Sequence, residues 1–304
     1  RSISGNPPAT GGAAIREARS ERWPARCGRV TDHGEDQGNA MRVFIGTDIE
    51  GVAGVVTFYA QTTPGNPGYE PARRLLTGEI NAAVEALVAA GVDDILVADG
   101  HGPGAVCYET LHPAAKLLHG RPLPPRREVD AVVATYDVCM MIGQHAMAGN
   151  PRGNMNHTQS SATVDRYTLN GHPIGEIAQF ALYQGDLGVP LIFLSGDEEA
   201  CREAAALIPG ITTAAVKQSL SRNAAISVSI QESQRRIRDG VAAAIARQKA
   251  TPLAPLRWPG PYVLEKRFFH TDVADSAEAR PGAERVDAQT VRYRSASIRD
   301  IVYA

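Results

Sequence analysis

Asp48 and Glu50 stand two residues apart where the apolar run Val43-Phe44-Ile45-Gly46-Thr47 ends. On a strand that spacing turns both carboxylates to one face, where they repel unless a proton or a cation lies between them. A dinuclear metal centre uses such a pair, one carboxylate bridging, to hold two cations about 3.5–4 Å apart. A solvated strand end or a helix N-cap would accommodate the same residues without a metal. Two histidines repeat the pattern. His101 follows Ile95-Leu96-Val97-Ala98 in Asp99-Gly100-His101-Gly102, and His145 follows the run 138–142 in Gly143-Gln144-His145-Ala146. Imidazole and carboxylate gathered at the ends of separate strands point to a zinc-type hydrolytic site.

Three further residues have more than one reading. Glu176 opens a helix, where it serves equally as a complement to the helix dipole or as a metal ligand. Asp99 is placed either to orient an imidazole or to cap the segment that follows. His157, in the polar loop Gly153-Asn154-Met155-Asn156-His157-Thr158, is a candidate acid, base or nucleophile beside a metal crevice, or a loop histidine without a role.

The elements that must position these residues alternate between strand and helix. Strands are predicted over 42–48, 93–98, 137–143 and 190–194. A helix over 70–90 carries Leu76, Ile80, Val84, Leu87 and Val88 on one face, and Gly91 ends it. The loop 51–68 is long enough to be an active-site loop. Asn170-Gly171 marks a tight hairpin before the helix that starts near Gly175-Glu176. Asp197 precedes a helix with Glu198 and Glu199 in its first turn. A long helix marked by Ile230, Ile237, Val241 and Ile245 leads through a proline-rich linker to short strands near 262–269 and 289–294, with a small helix around 274–279. The expected fold is α/β, a mostly parallel sheet with flanking helices plus a smaller C-terminal α+β portion. The expected domains are a disordered extension over 1–40, a metal-binding catalytic domain over 41–215 and an α+β subdomain over 216–304. Met41 is read as the functional start, the preceding residues being an extension or an upstream-translated artefact.

Composition narrows the function. With 43% apolar residues, the 304-residue chain can bury a substantial core. A formal charge of −2 gives no electrostatic footprint for nucleic acid or an acidic membrane. No apolar run approaches the ~20 residues of a membrane span. Cys27, Cys107, Cys139 and Cys201 lack paired spacing, so buried free thiols and a cytoplasmic location are expected. The stretch Asp99-Gly100-His101-Gly102-Pro103-Gly104 lacks the Lys-Ser/Thr of a phosphate loop, and no nucleophile elbow is present.

In combination, Thr47-Asp48-Ile49-Glu50-Gly51, Ala98-Asp99-Gly100-His101, Ile142-Gly143-Gln144-His145-Ala146, Asn156-His157 and Asn170-Gly171-His172-Pro173-Ile174-Gly175-Glu176 resemble the DppA-type D-aminopeptidase family. Gly196-Asp197 and Thr212-Thr213-Ala214-Ala215-Val216-Lys217-Gln218 extend the resemblance, which runs from Met41 to the C-terminus. The resemblance implies two Zn2+ ions per chain at Asp48, Glu50, His101, His145 and Glu176, with Asp48 bridging, and a catalytic role for His157. It also implies short peptide substrates with an N-terminal D-residue, cleaved by water that the zinc pair activates and a histidine assists. A homo-oligomer, in the family a ring-shaped decamer, is a further implication. The forty-residue leader has no counterpart in the family, and relatives are expected to continue past Ala304 through a further helix. Two alternatives remain: another dinuclear metallohydrolase, either amidase or phosphoesterase, and a non-catalytic peptide-binding or transport-associated protein.

Overall fold

The computed structural model describes residues 41–304. The expectation of disorder over 1–40 lies outside the described residues. The first half of the chain runs β1 (Arg42–Thr47), α1 (Phe58–Thr62), α2 (Tyr69–Ala89), β2 (Asp94–Asp99), β3 (Ala115–Leu118), α3 (Arg126–Val133), β4 (Val138–Gln144), β5 (Val164–Leu169) and β6 (His172–Ile174). It continues with α4 (Glu176–Asp186), β7 (Leu191–Asp197), α5 (Glu198–Leu207), β8 (Thr212–Ser221), β9 (Ala224–Ser227) and α6 (Ile230–Ala250). Last come β10 (Tyr262–Phe268), α7 (Thr271–Glu278), β11 (Ala283–Arg285), β12 (Thr290–Ser295) and α8 (Ile298–Ile301).

A seven-stranded sheet has the order β3-β2-β1-β4-β7-β8-β9, parallel except for the β8–β9 hairpin. Its central strands are apolar along their length because helices cover both faces. In β1, Val43 and Ile45 face one core with Leu76 and Ile80 of α2 and Ile237 and Val241 of α6. Phe44 faces the other, with Ile177 of α4 and Ala200 and Ala204 of α5. The period-2 alternation of a strand produces this division. Along α2, Leu76, Ile80, Val84 and Leu87 are buried as expected, whereas Val88 is exposed. Gly91 takes a left-handed φ of 82° just after the helix.

From β1 the chain winds outward to β2 and β3, then crosses back to add β4, β7 and β8 on the other side. The order therefore reverses between β1 and β4, and a crevice opens at their carboxyl ends. Asp48 and His145 stand on its two sides.

A second, antiparallel sheet has the order β11-β12-β10-β5-β6. It packs on α4, α7 and α8 through Tyr167, Leu169, Ile174, Leu264, Phe268, Val291 and Tyr293. The sheets do not divide at residue 215. β8, β9 and α6 belong with the parallel sheet, and the β5–β6 hairpin joins the C-terminal strands. Asn170 and Gly171 form its turn with φ of 50° and 81°. The sequence predicts no counterpart for α1, the edge strand β3, helix α3, the β8–β9 hairpin, β11 or α8.

Candidate metal centre

Each strand end delivers one part of the cluster. Asp48 follows β1, and Glu50 lies in the turn beyond it. His101 follows β2, His145 follows β4, and Glu176 is the first residue of α4. The turns that carry them are packed backbone against backbone. A Cβ on Gly143, whose φ is 79°, would lie 2.1 Å from the Asp48 carbonyl oxygen. One on Gly51 would lie 1.9 Å from that of Gln144. Only glycine permits this approach.

Asp48 splits its two oxygens. Its Oδ1 faces His101 Nδ1 at 3.4 Å, and its Oδ2 faces His145 Nε2 at 3.3 Å. His101 Nδ1 also faces Glu50 Oε2 at 3.5 Å, and His145 Nε2 faces Glu176 Oε1 at 3.5 Å. All four separations exceed a good hydrogen bond. They match the edge of a tetrahedron of ligands about 2.0–2.1 Å from a central zinc, which is about 3.3–3.4 Å. Donor atoms of Asp48, Glu50 and His145 lie within 4.8 Å of one another, as do those of His145, His157 and Glu176.

Backbone carbonyls orient all three rings. His101 Nε2 donates to Thr62 O at 2.9 Å, His145 Nδ1 to Ala146 O at 3.0 Å, and His157 Nδ1 to Met155 O at 2.9 Å. Each bond holds the ring proton on the outer nitrogen and turns the lone pair of the other inward, as metal-bound imidazoles require. Asp99 does not take part. Its oxygens accept from the Ala105 and Val106 amides, so it caps the loop after His101.

The electrostatics are those of a site that attracts cations. Burial acts to raise Asp48, but His101 and His145 outweigh it and hold the carboxyl well below its usual range. Burial acts to lower His101, but Asp48 and Glu50 push it up to about 11. His145 is likewise raised, by Glu176 and Asp48 against its burial, and Glu176 is lowered by His145 against its own. The buried atoms Glu50 Oε2 and His145 Nε2 have no hydrogen-bond partner. Buried polar atoms are seldom left so, and a divalent cation is what these donors fit.

His157 completes the group. Its ring stacks on His145 with centroids 3.9 Å apart, Phe58 meets it edge-on at 5.3 Å, and Nε2 lies 3.7 Å from Glu176 Oε1. The six residues singled out in the sequence thus converge. Lys217 escaped that reading. Fully buried on β8, its ammonium donates to the carbonyls of Glu50 and Val55 and to Asn154 Oδ1 at 2.9 Å, tying the Glu50 turn to the loop that carries His157. The signal was available: a lysine following Val216 within an apolar strand.

Residues 41–304 match the model of the peptidase M55 family, described as D-aminopeptidase. A D-aminopeptidase of Bacillus subtilis is 32% identical over 260 residues, 84% of this chain and 92% of that protein. A solved structure, the Zn-dependent D-aminopeptidase DppA from Bacillus subtilis, described as a self-compartmentalizing protease, superposes with a TM-score of 0.80 at 30% identity. The match covers 86% of this chain and 94% of that one.

Proposed function

The chain belongs to the D-aminopeptidase family of peptidase M55, and on that premise we propose that it is a zinc-dependent aminopeptidase. Its substrates are short peptides with an N-terminal D-residue, and its centre holds two zinc ions per chain. The observation that carries the reading is the division of Asp48. One of its oxygens faces His101, which Glu50 also faces, and the other faces His145, which Glu176 also faces. Two ions held here would draw on Asp48 in common, one with Glu50 and His101 and the other with His145 and Glu176.

Zinc held by these residues would supply Lewis-acid activation of a water and of the scissile carbonyl. The chain's own residues handle the proton. Met155 O keeps the His157 proton on Nδ1, which leaves Nε2 as a base at the edge of the cluster. His157 accepts a proton at Nε2 and returns it to the departing amine. Stacking on His145 and the Phe58 edge fix the ring plane, so that the nitrogen keeps its aim. Lys217 holds the two loops in register.

Self-association in a ring is part of the reading, supported by the description of the Bacillus subtilis structure as self-compartmentalizing. A cytoplasmic site of action is supported by the free, buried Cys107, Cys139 and Cys201. Among the described residues, no helix is long and apolar enough to cross a membrane.

Zinc-loaded protein assayed side by side on D-Ala-D-Ala, L-Ala-L-Ala and an aryl phosphate tests the function. Turnover of the D-peptide alone is expected. Preferential turnover of the phosphate would move the protein to the phosphoesterases, and turnover of none to the non-catalytic binders.

A further inference from the structure

Lys266 sits in the inward register of β10, between the buried Leu264 and Phe268, and is itself 5% exposed. A buried ammonium is costly unless acceptors or an anion meet it. Its neighbours here are rings: Nζ lies 4.8 Å from the centroid of Tyr167 and 5.5 Å from that of Tyr293. The charged groups acting on it are also cations, Arg280 and Arg126; burial first, and these charges second, lower it to about 8.

Lys266 borders a cavity of about 310 Å3, together with Gln159, Ser160, Thr163 and Arg280. Among the described residues, no aspartate or glutamate lines that space. Two cationic side chains with the hydroxyls of Ser160, Thr163 and Ser276, and no acidic side chain beside them, form a receptor for an anion.

The cavity adjoins the metal centre. Gln159 lines it, and the Gln159 amide donates to Glu176 Oε1 at 2.7 Å. Across the second sheet, Lys266 pairs with Tyr167 and Tyr167 with Ile174, two residues before Glu176. Two strand spacings come to about 10 Å, and the two residues on to Glu176 add up to about 7 Å between the Lys266 and Glu176 backbones. A dipeptide spans about 7 Å, to which a metal–oxygen bond adds about 2 Å and an ion pair about 3 Å. The Lys266 side chain reaches back toward the cluster, so a peptide of two or three residues bound there is long enough to carry its free carboxylate into the cavity.

We propose that this cavity is the subsite for the C-terminal carboxylate of a di- or tripeptide, received by Lys266 with Arg280 at the rim. The assignment rests on the peptidase reading of the metal centre. It supplies what the metal ligands do not, a ruler that favours very short peptides over long ones. Lys266 and Arg280 are specificity residues, and neither touches the reacting atoms.

Zinc-loaded wild type, Lys266→Met and Arg280→Met are compared on D-Ala-D-Ala and its C-terminal amide, by kcat and KM and by calorimetric binding. Wild type is expected to favour the free acid by roughly 10- to 100-fold in KM. In Lys266→Met the ratio of acid to amide falls close to one at wild-type zinc content. Arg280→Met, exposed and easily tolerated, lowers the ratio by a smaller factor. A ratio unchanged in both variants, or a wild type indifferent to the carboxylate, overturns the subsite. If wild type cleaves neither peptide, the peptidase reading falls on its own. Calorimetry then judges the cavity: tighter binding of the acid that is lost in Lys266→Met upholds it, and equal affinities for acid and amide refute it.

Discussion

The crevice between β1 and β4 and the cavity over β5 and β10 are charge opposites. In the crevice, carboxylates and imidazole lone pairs crowd together, and buried atoms of Glu50 and His145 lack partners. In the cavity, Lys266 and Arg280 border a space that no aspartate or glutamate of the described residues lines. Folding alone would favour neither, since unpaired buried charge is destabilising. Under the two proposals the contrast is one of ligands, cations in one region and a carboxylate in the other. Glu79 is a buried acid outside the cluster, with no histidine acting on it. Burial pushes its carboxyl up to about 7, although the Ala53 amide, Ser233 and the Lys217 charge pull the other way.

The hardest test of the crevice is His157→Ala. Turnover is expected to fall by about 10²–10⁴-fold with zinc content unchanged, because the ring handles a proton and is not needed as a ligand. Loss of zinc alongside activity would make His157 a ligand. Chelation should destabilise the fold by about 4 kcal/mol where free zinc stands near 1,000 times its dissociation constant, read as a drop in Tm. The same treatment should leave carboxylate binding at Lys266 in place, and so separate the two regions.

Glu79→Gln sharpens the contrast with a buried acid that has no histidine partner. A folded-state pKa raised from 4.5 to about 7 gives wild type its full stability below about 4.5, lost as pH rises through about 7. The variant should escape a loss on the order of 3 kcal/mol across that window, measured by urea unfolding of chelated protein at pH 5 and pH 8. A parallel pH dependence in both proteins would contradict this. The smallest effect is expected from Gly171→Ala in the β5–β6 turn, where φ is 81°. It should cost about 1–2 kcal/mol and leave the preference for a free carboxylate intact.

What could be read in the sequence follows from how local each signal is. β1, β2, β4 and β7 are buried on both faces, so their apolar runs stand out, and the polar residues just beyond them are the cluster itself. Glu176 could not be decided from its helix position, because a dipole complement and a ligand look alike until His145 is seen 3.5 Å away. The membership of the second sheet could not be read at all. That β5 pairs with β10 depends on a contact between residues about a hundred positions apart, and no periodicity encodes it. Lys266 was legible and missed. In Leu264-Glu265-Lys266-Arg267-Phe268 the inward positions are Leu, Lys and Phe, and a lysine in the apolar register marks a buried charge.

Zinc per chain, determined by elemental analysis of wild type, Asp48→Asn and Glu50→Gln, tests the shared centre most directly. A bridging Asp48 predicts two ions in wild type, loss of both in Asp48→Asn and loss of chiefly one in Glu50→Gln. A wild type holding one ion or none, or an Asp48→Asn protein that keeps two, would contradict the bridged pair.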